Sequence, residues 1–155
     1  MKHMKDMKHR KHLSIALLLC LVLSFSFTGC KANTSDNAAT QTSALWANAT
    51  YTEDTELGEG NTTVNVEVKV DEQSVTFAVH TDQTVLGTAL TDCGLVSGEE
   101  GDYGLYIKEV NGIQADYDAD KAYWAFYKDG EYMNTGVDST TISDGEHYEL
   151  VYTQD

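Results

Sequence analysis

The chain has 155 residues, of which 25 are Asp or Glu and 10 are Lys or Arg, so its formal net charge is −15 at pH 7. A surface with this excess of negative charge repels phosphate backbones, which excludes nucleic acid as an expected partner. The length suffices for one domain with a modest hydrophobic core.

The first 30 residues have the pattern of a bacterial lipoprotein signal. Five basic residues precede an uncharged apolar run, 15–27, which is short for a membrane span and typical of a signal-peptide core. The run ends in Phe27-Thr28-Gly29-Cys30, which resembles a lipobox, where the cysteine receives a diacylglycerol and becomes the mature N-terminus. An ordinary secretory signal with an incidental cysteine is the alternative. We expect a signal peptide over residues 1–29, lipidation of Cys30 and a location on the extracytoplasmic face of a bacterial cell membrane.

Cleavage before Cys30 makes the mature chain more acidic. Residues 30–155 contain five basic and 24 acidic residues, a net charge of −19 with His neutral. Such a chain has no basic patch with which to hold an anionic membrane, so the lipid would be its membrane anchor. Cys93 is then the only unmodified cysteine, which excludes an intramolecular disulfide, and we expect it to be a small buried hydrophobic residue.

Residues 30–61 are polar, without a hydrophobic period, and are predicted to be a disordered tether. Trp46 and Tyr51 are its large side chains. We expect them to be exposed in the tether, and docking on the domain is the alternative. The folded domain is predicted to span residues 62–155.

The pattern of the domain predicts strands, one helix and further strands. Valines alternate with polar residues from Val64 to Val70 and again from Val75 to Val79, which is typical of a hairpin with one buried face. Apolar residues between Val85 and Cys93 follow a helical period, with Thr84 as the expected N-cap and Gly94 as the expected terminator.

After an acidic loop at residues 97–102, the strand signals resume. A strand at 105–110 leads to the tight-turn pair Asn111-Gly112, a second hairpin turns at Asp129-Gly130, and a final strand covers 146–153. The order ββαββββ predicts an α+β, β-grasp-like fold, with one helix packed on a mostly antiparallel sheet built of hairpins.

The Asp129-Gly130 hairpin is aromatic on both faces. If these two residues form the turn, Lys128 lies opposite Glu131 and Tyr127 lies opposite Tyr132. One face, suited to the core, then carries Trp124, Phe126 and Met133. The other carries Tyr123, Tyr127, Tyr132 and Asn134, whose flat rings and polar tips are typical of recognition surfaces. Cross-strand tyrosine pairs that only stabilise the sheet are the alternative reading.

No pattern in the mature chain predicts catalysis. His80 and His147 lack the spacing of a zinc site, and Cys93 has no signature of a catalytic thiol. The acidic segment 116–120 lacks the Gly and Glu that an EF-hand requires, so we expect a solvated turn there, with a weak calcium site as the alternative. We therefore expect neither enzymatic activity, nor a metal site, nor a required cofactor.

Three segments resemble the bacterial domain family DUF4430, which is similar to the C-terminal β-domain of transcobalamin and intrinsic factor. The segments are FAVHTDQTVLGTALTDCGLV, GLYIKEVNGIQADYD and AYWAFYKDGEYMNTGVDSTTISDGEHYELVY. The resemblance implies that the domain closes over one face of a corrinoid such as cobalamin. The implied contacts, together with the tyrosine face of the hairpin, are Tyr123, Trp124, Tyr127, Tyr132, Asn134, Thr135, Gly136 and Val137.

The resemblance therefore implies a lipid-anchored module that captures cobalamin, or a related corrinoid, for uptake. The helical domain that completes the corrinoid site in the animal proteins is missing from this sequence, so an importer or a second binding domain is an expected partner. The alternative is a surface module that binds a protein or a glycan and no vitamin.

Overall fold

Nine strands form two sheets in the computed structural model, which describes residues 44–155. The strands are β1 (Thr55–Gly58), β2 (Thr62–Val70), β3 (Gln73–Thr81), β4 (Val96–Gly101), β5 (Gly104–Val110), β6 (Ile113–Gln114), β7 (Ala122–Lys128), β8 (Glu131–Tyr132) and β9 (His147–Gln154). Helix α1 spans Leu86–Asp92, helix α2 spans Tyr117–Asp120, and a 3₁₀ turn spans Val137–Ser139.

The larger sheet has the order β1-β3-β2-β9-β7-β8, and the smaller sheet has the order β4-β5-β6. Two ladders of the larger sheet, β1–β3 and β2–β9, are parallel, and the others are antiparallel. The smaller sheet is antiparallel throughout. The α+β class and the mostly antiparallel pairing predicted from the sequence are confirmed, with a second sheet that the hairpin pattern did not predict.

The core lies on one face of the larger sheet. The four alternating valines of β2 are fully buried, and the register places Val66 beside Tyr148 and Val68 beside Leu150 of β9. On β7, Trp124 and Phe126 face the same side, paired with Tyr152 and Leu150. Residues of α1 and of the smaller sheet join this cluster, among them Leu86, Leu90, Ile107 and Ile113. The core layer therefore consists of α1 and the smaller sheet packed on the apolar face of the larger one.

The predicted acidic loop at residues 97–102 is wrong, because most of it belongs to strand β4. Val96 is buried and pairs with Val110, and the ladder continues to Gly101 opposite Gly104. The exposed acidic residues Glu99 and Glu100 lie on this edge strand, where charge on the solvent side is tolerated. Backbone pairing with β5 thus overrides a composition typical of loops.

Helix α1 begins one residue later than expected and without the predicted Thr84 cap. Val85 is the N-cap residue and makes no side-chain hydrogen bond. The N–H of Leu86 donates instead to the carbonyl of Thr140 at 2.9 Å, and the N–H of Ile142 donates to the carbonyl of Thr84. Backbone hydrogen bonds with the segment 140–142 therefore take the place of a side-chain cap at the start of α1. Gly94 follows the helix with φ +72°, as predicted for its terminator.

The predicted tether boundary at residue 61 is wrong for the part of the tether that the structure describes. Residues 44–46 are helical, the Trp46 side chain is buried in the core, and β1 adds a strand to the sheet at Thr55–Gly58. Tyr51 remains exposed, and its ring meets Phe77 edge-on at 5.8 Å. Trp46 and Tyr51 have no periodic apolar neighbours in this polar segment, so the sequence pattern could not predict that the segment packs on the domain.

Asn111 attaches the N-terminal segment to the domain. Its backbone carbonyl accepts the Thr50 N–H at 2.8 Å, while its side chain accepts the Tyr51 N–H and donates to the Tyr51 carbonyl. Asn111 is buried, at φ +51°, and precedes Gly112 in the predicted tight turn. The Asn111-Gly112 hairpin is therefore confirmed, and its turn also holds residues 50 and 51.

The second predicted hairpin is also confirmed, since Tyr127 pairs with Tyr132 and Lys128 with Glu131 across Asp129-Gly130. The turn residues have φ values of +49° and +81°, typical of a two-residue turn of type I′. The Lys128 ammonium contacts Glu146 at 2.6 Å. Lys128 lies opposite Glu131 as predicted, and its ammonium forms its salt bridge with the loop before β9.

The predicted signal peptide and the lipidation of Cys30 lie outside the described residues. Within residues 44–155, none of the helices is long and apolar enough to cross a membrane.

Replacing Trp46 with Ala tests whether the N-terminal segment is part of the fold. Loss of a buried indole should lower the free energy of unfolding by about 3 kcal/mol or more. Urea denaturation of residues 31–155, which contain the whole described core, measures this change. The matched control is Tyr103→Ala, which removes an aromatic ring that is 96% exposed and should change stability by less than about 0.5 kcal/mol. Equal stability of the two variants would mean that residue 46 belongs to a tether after all.

Candidate functional site

Four tyrosines cluster at one end of the larger sheet, on the face opposite the core. Tyr123 and Tyr127 alternate along β7 with the buried Trp124 and Phe126, so their side chains lie on the outer face. The Tyr127 and Tyr132 rings meet edge-on at 5.4 Å, and the rings of Tyr117 and Tyr123 meet edge-on at 6.4 Å. We call Tyr117, Tyr123, Tyr127 and Tyr132 the tyrosine cluster.

The electrostatic surroundings of the tyrosine cluster are negative. The Tyr117 hydroxyl donates to Asp155 at 3.2 Å, and this hydrogen bond raises the pKa of Tyr117. Burial raises the pKa of Tyr123, and the nearby Asp155 carboxylate and the other three tyrosines raise it further. The phenols of Tyr117 and Tyr123 therefore stay neutral at physiological pH, and that of Tyr117 lies beside a carboxylate.

All four lysines of the described residues already have an acidic or aromatic neighbour. Lys69 contacts Glu149 at 2.6 Å, and this bond lowers the pKa of Glu149. The remaining contacts are Lys108 with Glu99, Lys121 with the Tyr117 ring and Lys128 with Glu146. Residues 44–155 contain 23 acidic side chains, so most carboxylates in this part of the chain have no lysine neighbour.

Two of the residues named from the family resemblance lie in the core. Trp124 is 7% exposed, its ring meets Tyr152 edge-on at 5.5 Å, and its Nε1–H has no hydrogen-bond partner among the described residues. Val137 is 2% exposed and begins the 3₁₀ turn. Their side chains support the fold and are not presented to a ligand in this conformation.

Three more residues from that resemblance lie near a second exposed aromatic residue. Asn134, Thr135 and Gly136 are exposed in the segment that leads from β8 to the 3₁₀ turn. A Cβ added at Gly136 would lie 3.8 Å from the Tyr103 carbonyl oxygen, an ordinary contact distance, so the two backbones are neighbours. Tyr103 lies at the tip of the β4–β5 hairpin and is 96% exposed. We call Tyr103, Asn134, Thr135 and Gly136 the tip surface.

Asp138 fixes the segment 134–137 against the β4–β5 hairpin. Its Oδ2 accepts the Leu105 N–H at 2.6 Å, directly after the hairpin tip. Its Oδ1 lies so close to Gly87 of α1 that a Cβ at residue 87 would approach it to 1.9 Å. This approach explains the glycine within α1. One carboxylate thus aligns the helix, the hairpin and the loop that carries Asn134.

The structure therefore divides the predicted site residues among three places. Tyr123, Tyr127 and Tyr132 lie together on the outer sheet face, as the predicted register requires. Trp124 and Val137 lie in the core, and residues 134–136 join the tip surface. Sequence reasoning missed Tyr103, although Gly101 and Gly104 on either side of Asp102-Tyr103 could have indicated a tight hairpin there.

No group of three or more His, Cys, Asp or Glu side chains within residues 44–155 is arranged to hold a metal ion. Cys93 is half-buried, and burial raises the pKa of its thiol. Its Sγ donates weakly to the Leu90 carbonyl at 3.4 Å. The thiol is thus packed against α1, partly matching the expected role of a small buried residue.

The fold and surfaces define a small α+β domain with two exposed aromatic surfaces. The model of the family DUF4430, described as a domain of unknown function, matches residues 82–153. The chain belongs to this family.

Two solved structures resemble the chain. One is a protein from Ruminococcus gnavus ATCC 29149 described as a "putative metal binding protein", with 36% identity and a TM-score of 0.57 over 61% of this chain and 99% of that chain. The other is haptocorrin in complex with Cbi, with 24% identity and a TM-score of 0.51 over 60% of this chain and 25% of that chain. This chain thus spans about a quarter of haptocorrin. No curated protein sequence matches it.

Substitutions at Asp138 test the alignment of the tip surface. Asp138→Ala leaves the Leu105 N–H without its acceptor and should lower the free energy of unfolding by about 1–3 kcal/mol. Asp138→Asn keeps an acceptor oxygen, so its loss in the free energy of unfolding should be at most half of the loss in Asp138→Ala. Thermal and urea denaturation measure both variants. If Asp138→Ala unfolds at the wild-type denaturant concentration, the carboxylate does not hold the loop.

Proposed function

We propose that this protein is a lipid-anchored module on the extracytoplasmic face of a bacterial membrane, and that it binds a corrinoid at the tip surface for uptake. The observation that carries the proposal is the position of Tyr103, whose side chain is 96% exposed and whose backbone lies next to Gly136 of the exposed segment 134–136. A fully exposed aromatic ring on a short hairpin loses little entropy on binding and offers a large apolar contact. The proposal concerns binding alone and includes no catalytic step.

The chemistry of a corrinoid suits this surface. A corrin ring has a broad apolar edge, which an aromatic ring can cover, and amide side chains that need hydrogen-bond partners. Asn134 and Thr135 supply a side-chain amide and a hydroxyl, and the exposed backbone at Gly136 leaves room for close approach. The likeness of the fold to haptocorrin, whose crystal structure contains Cbi, supports the choice of ligand.

The size of the domain limits how much of a corrinoid it covers. The chain spans about a quarter of haptocorrin. One domain therefore contacts one side of the ligand. We propose that a second binding domain or a membrane importer covers the other side, so that the isolated chain binds only in the micromolar range.

Cobinamide binding by residues 31–155 tests this site. Cobinamide absorbs visible light, so equilibrium dialysis at micromolar protein concentrations measures the bound fraction directly. Wild type should retain cobinamide, and Tyr103→Ala should weaken binding about tenfold, as expected for the loss of an aromatic anchor. Asn134→Ala should weaken it less.

Tyr132→Ala is the matched control, because Tyr132 is also exposed but belongs to the tyrosine cluster, where it pairs with Tyr127. Its affinity for cobinamide should equal that of wild type. A loss of binding in Tyr132→Ala but not in Tyr103→Ala would move the site to the sheet face. An absence of binding in the wild type at 100 µM protein, a concentration about tenfold above the expected dissociation constant, would refute corrinoid capture by this chain alone.

The lipid anchor has its own test. Mass spectrometry of the protein expressed in a bacterium should show an N-terminus at Cys30 that carries a diacylglycerol. In the Cys30→Ser variant, this modification should disappear and the protein should leave the membrane fraction. A mature N-terminus elsewhere with an unmodified Cys30 would identify an ordinary secretory signal.

A further inference from the structure

The outer face of the larger sheet lies away from the core layer, and among the described elements the short helix α2 contacts it at Tyr123. The core layer of α1 and the smaller sheet lies on the other face. On the outer face, the central strands carry the ion pairs of Lys69, whereas the β7–β8 end carries the tyrosine cluster. Within the cluster, Tyr132 is 57% exposed and Tyr117 is 42% exposed. An aromatic patch of this kind on a small domain is typical of an interaction surface.

The tyrosine cluster already binds a cation of its own chain. The Lys121 ammonium lies 4.8 Å from the centre of the Tyr117 ring, within the range of a cation–π contact. The other three rings have no such neighbour among the described lysines, which lie against Glu149, Glu99 and Glu146. The contact at Tyr117 therefore indicates that the other three rings are suited to bind a cation.

The negative charge around the tyrosine cluster also favours a cationic ligand. Asp118 and Asp120 belong to α2 at the Tyr117 end, where Asp155 accepts the Tyr117 hydroxyl. At the other end, Glu149 lies opposite Tyr127 in the register of the sheet. Residues 44–155 together have a net charge of −19 with His neutral. Such a surface attracts cations over several ångströms and repels lipid headgroups and nucleic acids. A cationic partner is complementary to both the rings and the rim.

The length of the cluster distinguishes a protein segment from a small amine. Tyr123 and Tyr127 are four residues apart on β7, which corresponds to about 13 Å along the strand. A single ammonium group covers only one ring. An extended peptide covers this distance in four residues, so cations at positions i and i+4 of such a segment would meet both ends of the cluster.

We propose that the tyrosine cluster binds an extended, arginine- or lysine-bearing segment of a partner protein. The guanidinium groups stack on the exposed faces of Tyr127 and Tyr132 at one end and of Tyr123 at the other, and the rim carboxylates pair with the charges. This site shares no residue with the tip surface, so substitutions can distinguish the two.

Defined peptides test the site with residues 31–155. The probe is a fluorescent Gly/Ser peptide with arginines at positions i and i+4. One comparison peptide has citrulline, an uncharged isostere, at both positions, and another has adjacent arginines. Fluorescence anisotropy should show at least fivefold tighter binding of the i, i+4 arginine peptide than of either comparison peptide.

Variants of exposed residues identify the surface. Tyr132→Ala should weaken peptide binding at least threefold, whereas Tyr132→Phe, which keeps the ring, should bind within twofold of wild type. Tyr103→Ala, the control on the tip surface, should bind the peptide as wild type does. Circular dichroism confirms that each variant is folded, and the cobinamide assay on the same samples reports the other site independently.

Three results would overturn the proposal. Equal binding of the peptide by wild type and by Tyr132→Ala would show attraction by net charge alone. Equal binding of the citrulline peptide would show that the cations are not recognised. Binding of a neutral oligosaccharide such as maltohexaose, lost in Tyr132→Ala, without binding of the arginine peptide would assign the cluster to a glycan.

Discussion

The fold depends on covering one apolar face of the six-stranded sheet. Six strands spaced about 4.8 Å apart make this face about 24 Å wide, whereas the seven residues of α1 form a helix only about 10 Å long. The helix alone leaves most of the buried valine, phenylalanine and tryptophan side chains uncovered. The smaller sheet and the indole of Trp46 complete the cover. The parts of the chain that looked like a loop and a tether are therefore required by the core.

The same constraint separates the two candidate surfaces. Because side chains alternate along β7, burial of Trp124 and Phe126 in the core places Tyr123 and Tyr127 on the outer face. The β4–β5 hairpin belongs to the core layer, and Tyr103 at its tip lies next to Gly136. In our account, the domain holds a corrinoid at its tip while the sheet face recruits a cationic partner. The high negative charge of the domain attracts the cationic partner and opposes contact with anionic lipid.

The sequence predicted those features that depend on local periodicity or on turn chemistry. Alternating valines predicted β2 and β3, Asn111-Gly112 and Asp129-Gly130 predicted two hairpins, and pairing across the second turn predicted the two faces of β7. Features that depend on distant contacts were missed. Trp46 has no periodic neighbours, and β4 is acidic but is held by β5. Family resemblance named residues 134–136 but could not show that Tyr103, about 30 positions earlier in the chain, lies beside them.

The central claim is that the tip surface, and not the tyrosine cluster, receives the corrinoid. The most direct measurement is a titration of ¹⁵N-labelled residues 31–155 with cobinamide, followed by the backbone amide chemical shifts. Our account predicts that the largest shifts occur at Tyr103 and at residues 134–136, with small changes at Tyr123, Tyr127 and Tyr132. Shifts concentrated on β7 and β8, or no shifts at millimolar cobinamide, would contradict it.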